Sequence, residues 1–197
     1  VEQAFDLLYE TATENDPWSV QTTRSRYQER KYADLLKMLP KRKYQNALDI
    51  GCGTGFLTEG IAQMAEKVLG IDISVSAITH AAARLAHHSN LEWSQGNVTD
   101  LDVIGDRTFD LAVIADTIYY LDRPISDTTL DMISDKVASL LERGGILLLA
   151  NHYFFFPNAD TRLTNRIHNA FKRCNSLELK REYRRAFYKV SIFEKAP

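Results

Sequence analysis

Ala47-Leu48-Asp49-Ile50-Gly51-Cys52-Gly53-Thr54-Gly55 reads as a buried β-strand that ends in an acid and runs directly into a glycine-rich turn. A second apolar strand, Val68-Leu69-Gly70-Ile71, also closes on an acid, Asp72. Glycines let a backbone turn sharply and lie close against a ligand. An acid about twenty residues after such a turn has the usual spacing for holding ribose hydroxyls. The two strands together predict a nucleotide-like ligand.

The spacing of the glycines narrows the choice. The dinucleotide fingerprint G-x-G-x-x-G would need glycine where Phe56 stands, and no Gly-Lys-Ser/Thr follows to make a Walker loop. Charge adds a second argument. A pyrophosphate binds at a helix N-terminus through backbone N–H groups and the positive end of the dipole, and Asp49 beside it would repel it. The same carboxylate suits a ligand carrying an ammonium and a sulfonium but no phosphate, as S-adenosylmethionine (SAM) does. Asp49 to Gly55, with Gly51, Gly53 and Gly55 in register, resembles the acid-x-G-x-G-x-G motif of class I SAM-dependent methyltransferases. That resemblance implies a Rossmann-like fold and SAM as cofactor.

The 197 residues suit one α/β domain, with residues 1–43 as an N-terminal helical cap and 44–197 as the catalytic core. No apolar run approaches the ~20 residues of a membrane span, and the N-terminus lacks a signal-peptide pattern. Two cysteines make no disulfide framework. The cytoplasm is the expected compartment. The net charge of −2 hides two basic zones: residues 21–43 carry eight Lys/Arg against two acids, and residues 161–197 carry ten against three. No nucleic-acid module accompanies them, so solvated surface is favoured over an RNA partner.

Along the chain, a short amphipathic helix is expected over 2–11 from Ala4, Phe5, Leu7 and Leu8. A second begins near Ser25, where Ser25-x-x-Gln28 fits a capping box, and ends before Pro40, with Tyr32, Leu35, Leu36 and Leu39 facing inward. Strands at 46–50, 67–72, 91–94, 109–115 and 146–150 then alternate with helices at 56–65, 75–86 and 128–141. Ser74 caps the helix at 75–86, and Arg143-Gly144-Gly145 offers a left-handed C-cap to the helix at 128–141. A helix at 161–173 precedes strands at 177–182 and 186–193, which should pair as an antiparallel hairpin. The order predicts a mostly parallel seven-stranded sheet with helices on both faces.

Ligands in such sheets bind beyond the carboxyl ends of the strands. Asp72 is placed to accept from both ribose hydroxyls, and Ile73 to pack on adenine. Asn97, followed by Val98, stands where methyltransferases often carry an acid; its amide can still accept from the adenine amino group. Ala115 and Asp116 end the fourth strand on the same rim. Trp18 could close over the cofactor and Arg30 could pair with its carboxylate, the alternatives being a core tryptophan and a solvated arginine.

Substrate choice in this class usually shows after the fourth strand. Asp116-Thr117-Ile118-Tyr119-Tyr120-Leu121 is not the Asn/Asp-Pro-Pro-Tyr/Phe motif of enzymes acting on adenine or glutamine amides. Neither Cys52 nor Cys174 is placed as a nucleophile. No metal cluster is apparent, and His80, His87 and His88 read as surface histidines. Direct transfer to nitrogen or oxygen remains, with Asp116, Tyr119, Tyr120 and His152 as candidates for orienting an acceptor and taking its proton. Asp116 could instead hold the methionine ammonium.

Three segments, Asn15-Asp16-Pro17-Trp18, Tyr27-Gln28-Glu29-Arg30-Lys31-Tyr32 and Asp116 to Leu121, resemble the nodulation N-methyltransferase family NodS. That resemblance implies N-methylation of the free amine at the non-reducing end of a partly deacetylated chitooligosaccharide, in the synthesis of rhizobial lipochitin (Nod factor) signals. The other readings kept open are another small amine or hydroxyl acceptor, RNA, and a non-catalytic SAM-binding regulator.

Overall fold

The computed structural model of the protein describes residues 2–12, 25–121, 124–154, 156, 158–185 and 187–196. Its chain forms two compact units, Val1–Asn97 and Val98–Pro197.

The first unit holds α1 (Glu2–Thr11), α2 (Ser25–Met38), β1 (Tyr44–Ile50), α3 (Phe56–Ala62), β2 (Ala65–Asp72), α4 (Val75–Arg84) and β3 (Leu91–Gln95). Its strands are parallel, in the order β3-β2-β1. Ala47–Ile50 and Val68–Asp72 are buried at every position, the continuous run expected of parallel strands covered on both faces. Pairing of Ile50 with Ile71 fixes the register. Gly51 and Cys52 then both donate their N–H groups to the Ile71 carbonyl, at 2.8 and 2.9 Å. The glycine turn is thereby held beside Asp72.

Both N-terminal helices form; α1 turns a different face inward from the one expected, while α2 buries the expected face and adds Lys31 to it. In α1, Leu7 and Leu8 are exposed while Tyr9 is 3% exposed. The inward stripe is Phe5, Asp6 and Tyr9, with Asp6 accepting hydrogen bonds from Ser74 and Ser76 at the start of α4. In α2 the buried positions are Leu35, Leu39 and Lys31, the last only 1% exposed, whereas Tyr32 and Leu36 are half-buried. A lysine stem can lie along apolar surface, and the i, i+4 spacing puts Lys31 in line with the two leucines.

Ser74 caps α4 as expected: its hydroxyl accepts from Ala77 N–H at 3.1 Å. At the centre of β2 a Cβ on Gly70 would stand 2.6 Å from the Trp93 ring, its neighbour on β3. Gly70→Ala is therefore expected to destabilise the protein by about 1–3 kcal/mol through overpacking, measured as a lowered denaturant midpoint at unchanged slope. A loss below a few tenths would show that the ring moves aside freely.

The second unit holds β4 (Phe109–Ala115), α5 (Asp127–Leu140), β5 (Leu141–His152), α6 (Ala159–Arg173), β6 (Leu177–Arg184) and β7 (Tyr188–Lys195). The strand order is β4-β5-β7-β6; β4 and β5 are parallel, and β7 is antiparallel to both its neighbours. The predicted C-terminal hairpin is present. Arg143-Gly144-Gly145 does not cap a helix. Leu141 ends α5 in an extended conformation and β5 starts there. Gly144 does take a left-handed φ of 72°, inside a strand irregularity that shifts the register opposite Phe109 to Leu111. A Cβ on Gly145 would come within 2.8 Å of the Glu142 carbonyl and 3.1 Å of that of Phe109. The two glycines are thus the means of a bulge.

Much of the second basic zone is ion-paired: Arg166 with Asp127 and Arg173 with Asp131, while Lys172 and Lys189 share Glu182. Among the described residues the sheet has seven strands, mostly parallel with an antiparallel C-terminal end, as the sequence predicts. Among the described residues no helix is long and apolar enough to cross a membrane.

Candidate functional site

In the first unit the site is built on the glycine turn. Gly51, Gly53 and Gly55 have φ of 77°, 54° and 82°, a region that side chains rarely enter. The Asp72 carboxylate holds the turn: Gly53 N–H donates to its Oδ2 at 2.9 Å, and Ser74 N–H to its Oδ1 at 3.0 Å. Each carboxylate oxygen keeps a second lone pair for a ribose hydroxyl. Burial pushes the Asp72 carboxyl up, and those two backbone donors act against it.

Asp49 lies beneath the turn, 2% exposed, and accepts from the Thr58 hydroxyl at 2.6 Å. Burial pushes its carboxyl up to about 7; the Thr58 bond opposes this and the charge of Asp72 adds to it. The carboxyl of Asp49 therefore changes charge near neutrality. Its effect on folding has a definite sign. A carboxyl whose pKa rises on folding stabilises the fold fully below the unfolded value of 3.8, and that contribution is lost as pH rises through about 7. At most about 4 kcal/mol is involved. The ligand-free protein is expected to lose stability between pH 4 and 8, and Asp49→Asn to flatten that slope, read from denaturant midpoints across the range. Parallel slopes for both proteins would refute the assignment.

Ile73 is half-exposed and Asn97 half-buried, while Arg30 is exposed on α2. Trp18 lies outside the described residues, as does the Asn15-Asp16-Pro17 run before it. Two residues were missed. The Tyr9 hydroxyl sits 3.0 Å from where a Cβ on Gly53 would stand, so α1 packs on the glycine turn. Asp6 accepts from the Ser74 hydroxyl at 2.6 Å and from Ser76 N–H at 3.2 Å. Acceptance of N–H bonds at a helix start is ordinary capping chemistry, but the donors lie on α4, so no local spacing in α1 betrays it.

The second unit gathers the candidates for acceptor chemistry, and buried Val98 and half-buried Ala115 also belong to it. Asp116 has a φ of 57°, the one non-glycine residue with positive φ among those described. Its N–H donates to the Ala150 carbonyl at 2.9 Å, which holds it against the end of β5. The His152 backbone N–H donates to Asp116 Oδ1 at 2.9 Å, and His152 Nδ1 lies 3.0 Å from the same oxygen. The Thr164 hydroxyl donates to the His152 carbonyl at 2.6 Å. A carboxylate can only accept, so Nδ1 carries the proton and Nε2 keeps a lone pair for another group.

Tyr119 and Tyr120 lie in a 3₁₀ turn, Ile118–Tyr120, anchored by buried Ile118. Their rings meet edge to face at 5.2 Å and 86°. Burial pushes the Tyr120 hydroxyl far up, with the charge of Asp116 and the presence of Tyr119 adding. Tyr120 thus stays protonated at neutral pH, able to donate a hydrogen bond but not to act as a base. Cys52 and Cys174 are buried, and burial raises both thiols, so neither is a ready nucleophile.

The sequence matches the profile of the family Nodulation protein S (NodS) over residues 2–152. Nodulation protein S of Sinorhizobium fredii NGR234 is 27% identical over 119 residues, 60% of this chain and 53% of that protein. Phosphoethanolamine N-methyltransferase 1 of Arabidopsis thaliana is 24% identical over 136 residues, 68% of this chain and 27% of that protein. The chain spans about half the length of the nodulation relatives it matches. Among solved structures, the N-methyltransferase NodS of Bradyrhizobium japonicum WM9, in complex with S-adenosyl-L-homocysteine, is similar with a TM-score of 0.79 at 20% identity; the match covers 100% of this chain and 98% of that one. At that identity the likeness is one of fold.

Proposed function

We propose that this chain, which belongs to the nodulation protein S family, is a SAM-dependent N-methyltransferase acting in Nod factor synthesis. Its acceptor is the free amine at the non-reducing end of a partly deacetylated chitooligosaccharide. The observation that carries the reading is the Asp116–His152 pair, a histidine fixed in one tautomer by a carboxylate in a strained backbone position. The glycine turn with Asp72 supports SAM as the cofactor.

When bound, SAM supplies a methyl group made electrophilic by its sulfonium. Gly51, Gly53 and Gly55 let the backbone approach it, Asp72 takes the ribose hydroxyls, Ile73 and Asn97 receive the adenine, and the field of Asp49 favours its positive charges. For the acceptor, the requirement is a neutral amine aligned with the transferring methyl; alignment alone can supply roughly 7–11 kcal/mol of the barrier. A sugar amine is about as basic as an α-amino group, near pKa ~8. A strong base is therefore not needed, and His152 Nε2, with Asp116 holding the imidazole in place, is positioned to orient the amine and accept its proton as the methyl is transferred. Tyr119 and Tyr120 offer ring faces on which a sugar can stack.

The test is incubation with methyl-labelled SAM and two chitooligosaccharides, one deacetylated at its non-reducing end and one fully acetylated. Label on the first alone is expected. Label on neither, with SAM still bound, would overturn the acceptor and leave the cofactor assignment standing.

A further inference from the structure

We propose that Glu59, His87 and His88 form a binding site for a divalent transition-metal ion, separate from the residues assigned to SAM and acceptor. The histidines by themselves are only neighbours in sequence on the turn that follows α4. Folding adds Glu59 from α3, and one ligand atom from each of the three residues lies within 4.8 Å of the other two. Donors around a tetrahedral zinc ion stand roughly 3.3 Å apart, given zinc–nitrogen distances of about 2.0–2.1 Å. The three donors thus stand close to that spacing, and His87 is exposed, so its side chain has room to adjust.

The surroundings fix the turn and the Glu59 carboxylate. His88 N–H donates to the Leu85 carbonyl at 2.9 Å. Just beyond, Asn90 Nδ2 donates to the Ala62 and Ala65 carbonyls at 2.9 and 3.0 Å, tying the turn to the end of α3 and the start of β2. The two imidazole rings lie 4.3 Å apart. Arg84 Nη1 donates to Glu59 Oε2 at 2.7 Å, which orients the carboxylate and leaves Oε1 for the ion. Carboxylate ligands of metals are commonly hydrogen-bonded in this way from outside.

The donor set decides which ion. Two imidazole nitrogens and one carboxylate oxygen suit zinc, cobalt, nickel or copper, whereas magnesium and calcium demand oxygen ligands. The guanidinium charge beside Glu59 further disfavours a hard ion held by charge alone. Arg84 Nε also donates to the Thr54 carbonyl at 3.0 Å, so the residue that orients the metal carboxylate touches the glycine turn as well.

The experiment is calorimetric titration of the purified chain with zinc chloride, with magnesium chloride in parallel, and the visible spectrum of a cobalt(II) titration. Wild-type protein is expected to take up zinc with a component of one ion per chain, not to respond to magnesium, and to give the intense visible bands of tetrahedral cobalt. His87→Ala, at an exposed position, and His88→Ala, at a half-buried one, should each weaken that component at least tenfold. His80→Ala should leave it unchanged, and circular dichroism should show all three variants folded. Absence of a one-to-one component, or its survival in both His87→Ala and His88→Ala, would overturn the site and leave an adventitious surface ion only.

Discussion

Asp116→Asn is expected to lower kcat for methyl transfer by roughly 10²–10³-fold, within the range that positioned acid–base groups contribute, with little change in KM for the acceptor. Asparagine tolerates positive φ at least as well as aspartate, so the backbone at φ 57° and its bond to the Ala150 carbonyl should survive. What is lost is the charge that accepts from His152 Nδ1 at 3.0 Å and from its backbone N–H at 2.9 Å. An amide in that place can offer either its oxygen or its nitrogen to the ring, and the tautomer with a free Nε2 lone pair is no longer enforced. His152→Gln should cost a similar factor, and the double variant scarcely more than either alone, since the two residues act as one unit. The deficit should shrink as pH rises above ~8, where the acceptor amine is already neutral. Initial rates measured from pH 6 to 10 check this. A deficit independent of pH would assign Asp116 to holding the cofactor rather than to proton transfer, and unchanged kcat would remove it from the mechanism.

Asp72→Ala is expected to raise the dissociation constant for S-adenosylhomocysteine by about 10²–10⁴-fold. Two hydrogen bonds to a charged acceptor, at about 1.5–3 kcal/mol each, account for that range. A second loss accompanies it. The same carboxylate accepts from Gly53 and Ser74 N–H, so its removal leaves two backbone donors unmatched and loosens the glycine turn. The ligand-free variant should therefore also be less stable by about 2 kcal/mol. Asp72→Asn separates the effects: it keeps one of the two acceptors for the turn, so it should restore part of the stability and little of the affinity. Calorimetric titration with S-adenosylhomocysteine and thermal unfolding of both variants give the two readouts. Binding within threefold of wild type for Asp72→Ala would exclude a ribose-holding role.

Local sequence was sufficient for the glycine turn, both acids that flank it, the Ser74 cap and the alternation of strands and helices. Each of these depends on groups a few residues apart: a φ that only glycine adopts freely, a hydroxyl within reach of the next turn's N–H, a run of apolar residues long enough for a buried strand. The left-handed conformation of Gly144 is of the same kind, and it is present. Its context is not, because whether such a residue ends a helix or bulges a strand depends on what lies alongside, here the Phe109 carbonyl on β4 beside the next residue, Gly145.

The remaining features needed the fold because their partners are distant in sequence. Leu7 and Leu8 fit a core stripe by hydrophobicity, yet Tyr9 and Asp6 face inward, since α4 and the glycine turn offer a hydroxyl, an N–H and a close backbone to those two side chains. Lys31 is buried in a row that periodicity would assign to leucine. Asp116 and His152 were separate candidates until the parallel pairing of β4 with β5 placed them 3.0 Å apart. The sign of Asp49 near neutrality also depends on its surroundings, because burial sets the pKa of a carboxyl and no sequence pattern measures burial. Short-range sterics and hydrogen bonding thus determined the elements and the cofactor motif of this protein. Long-range packing decided which side chains meet, how far water is excluded from them, and therefore what chemistry they can perform.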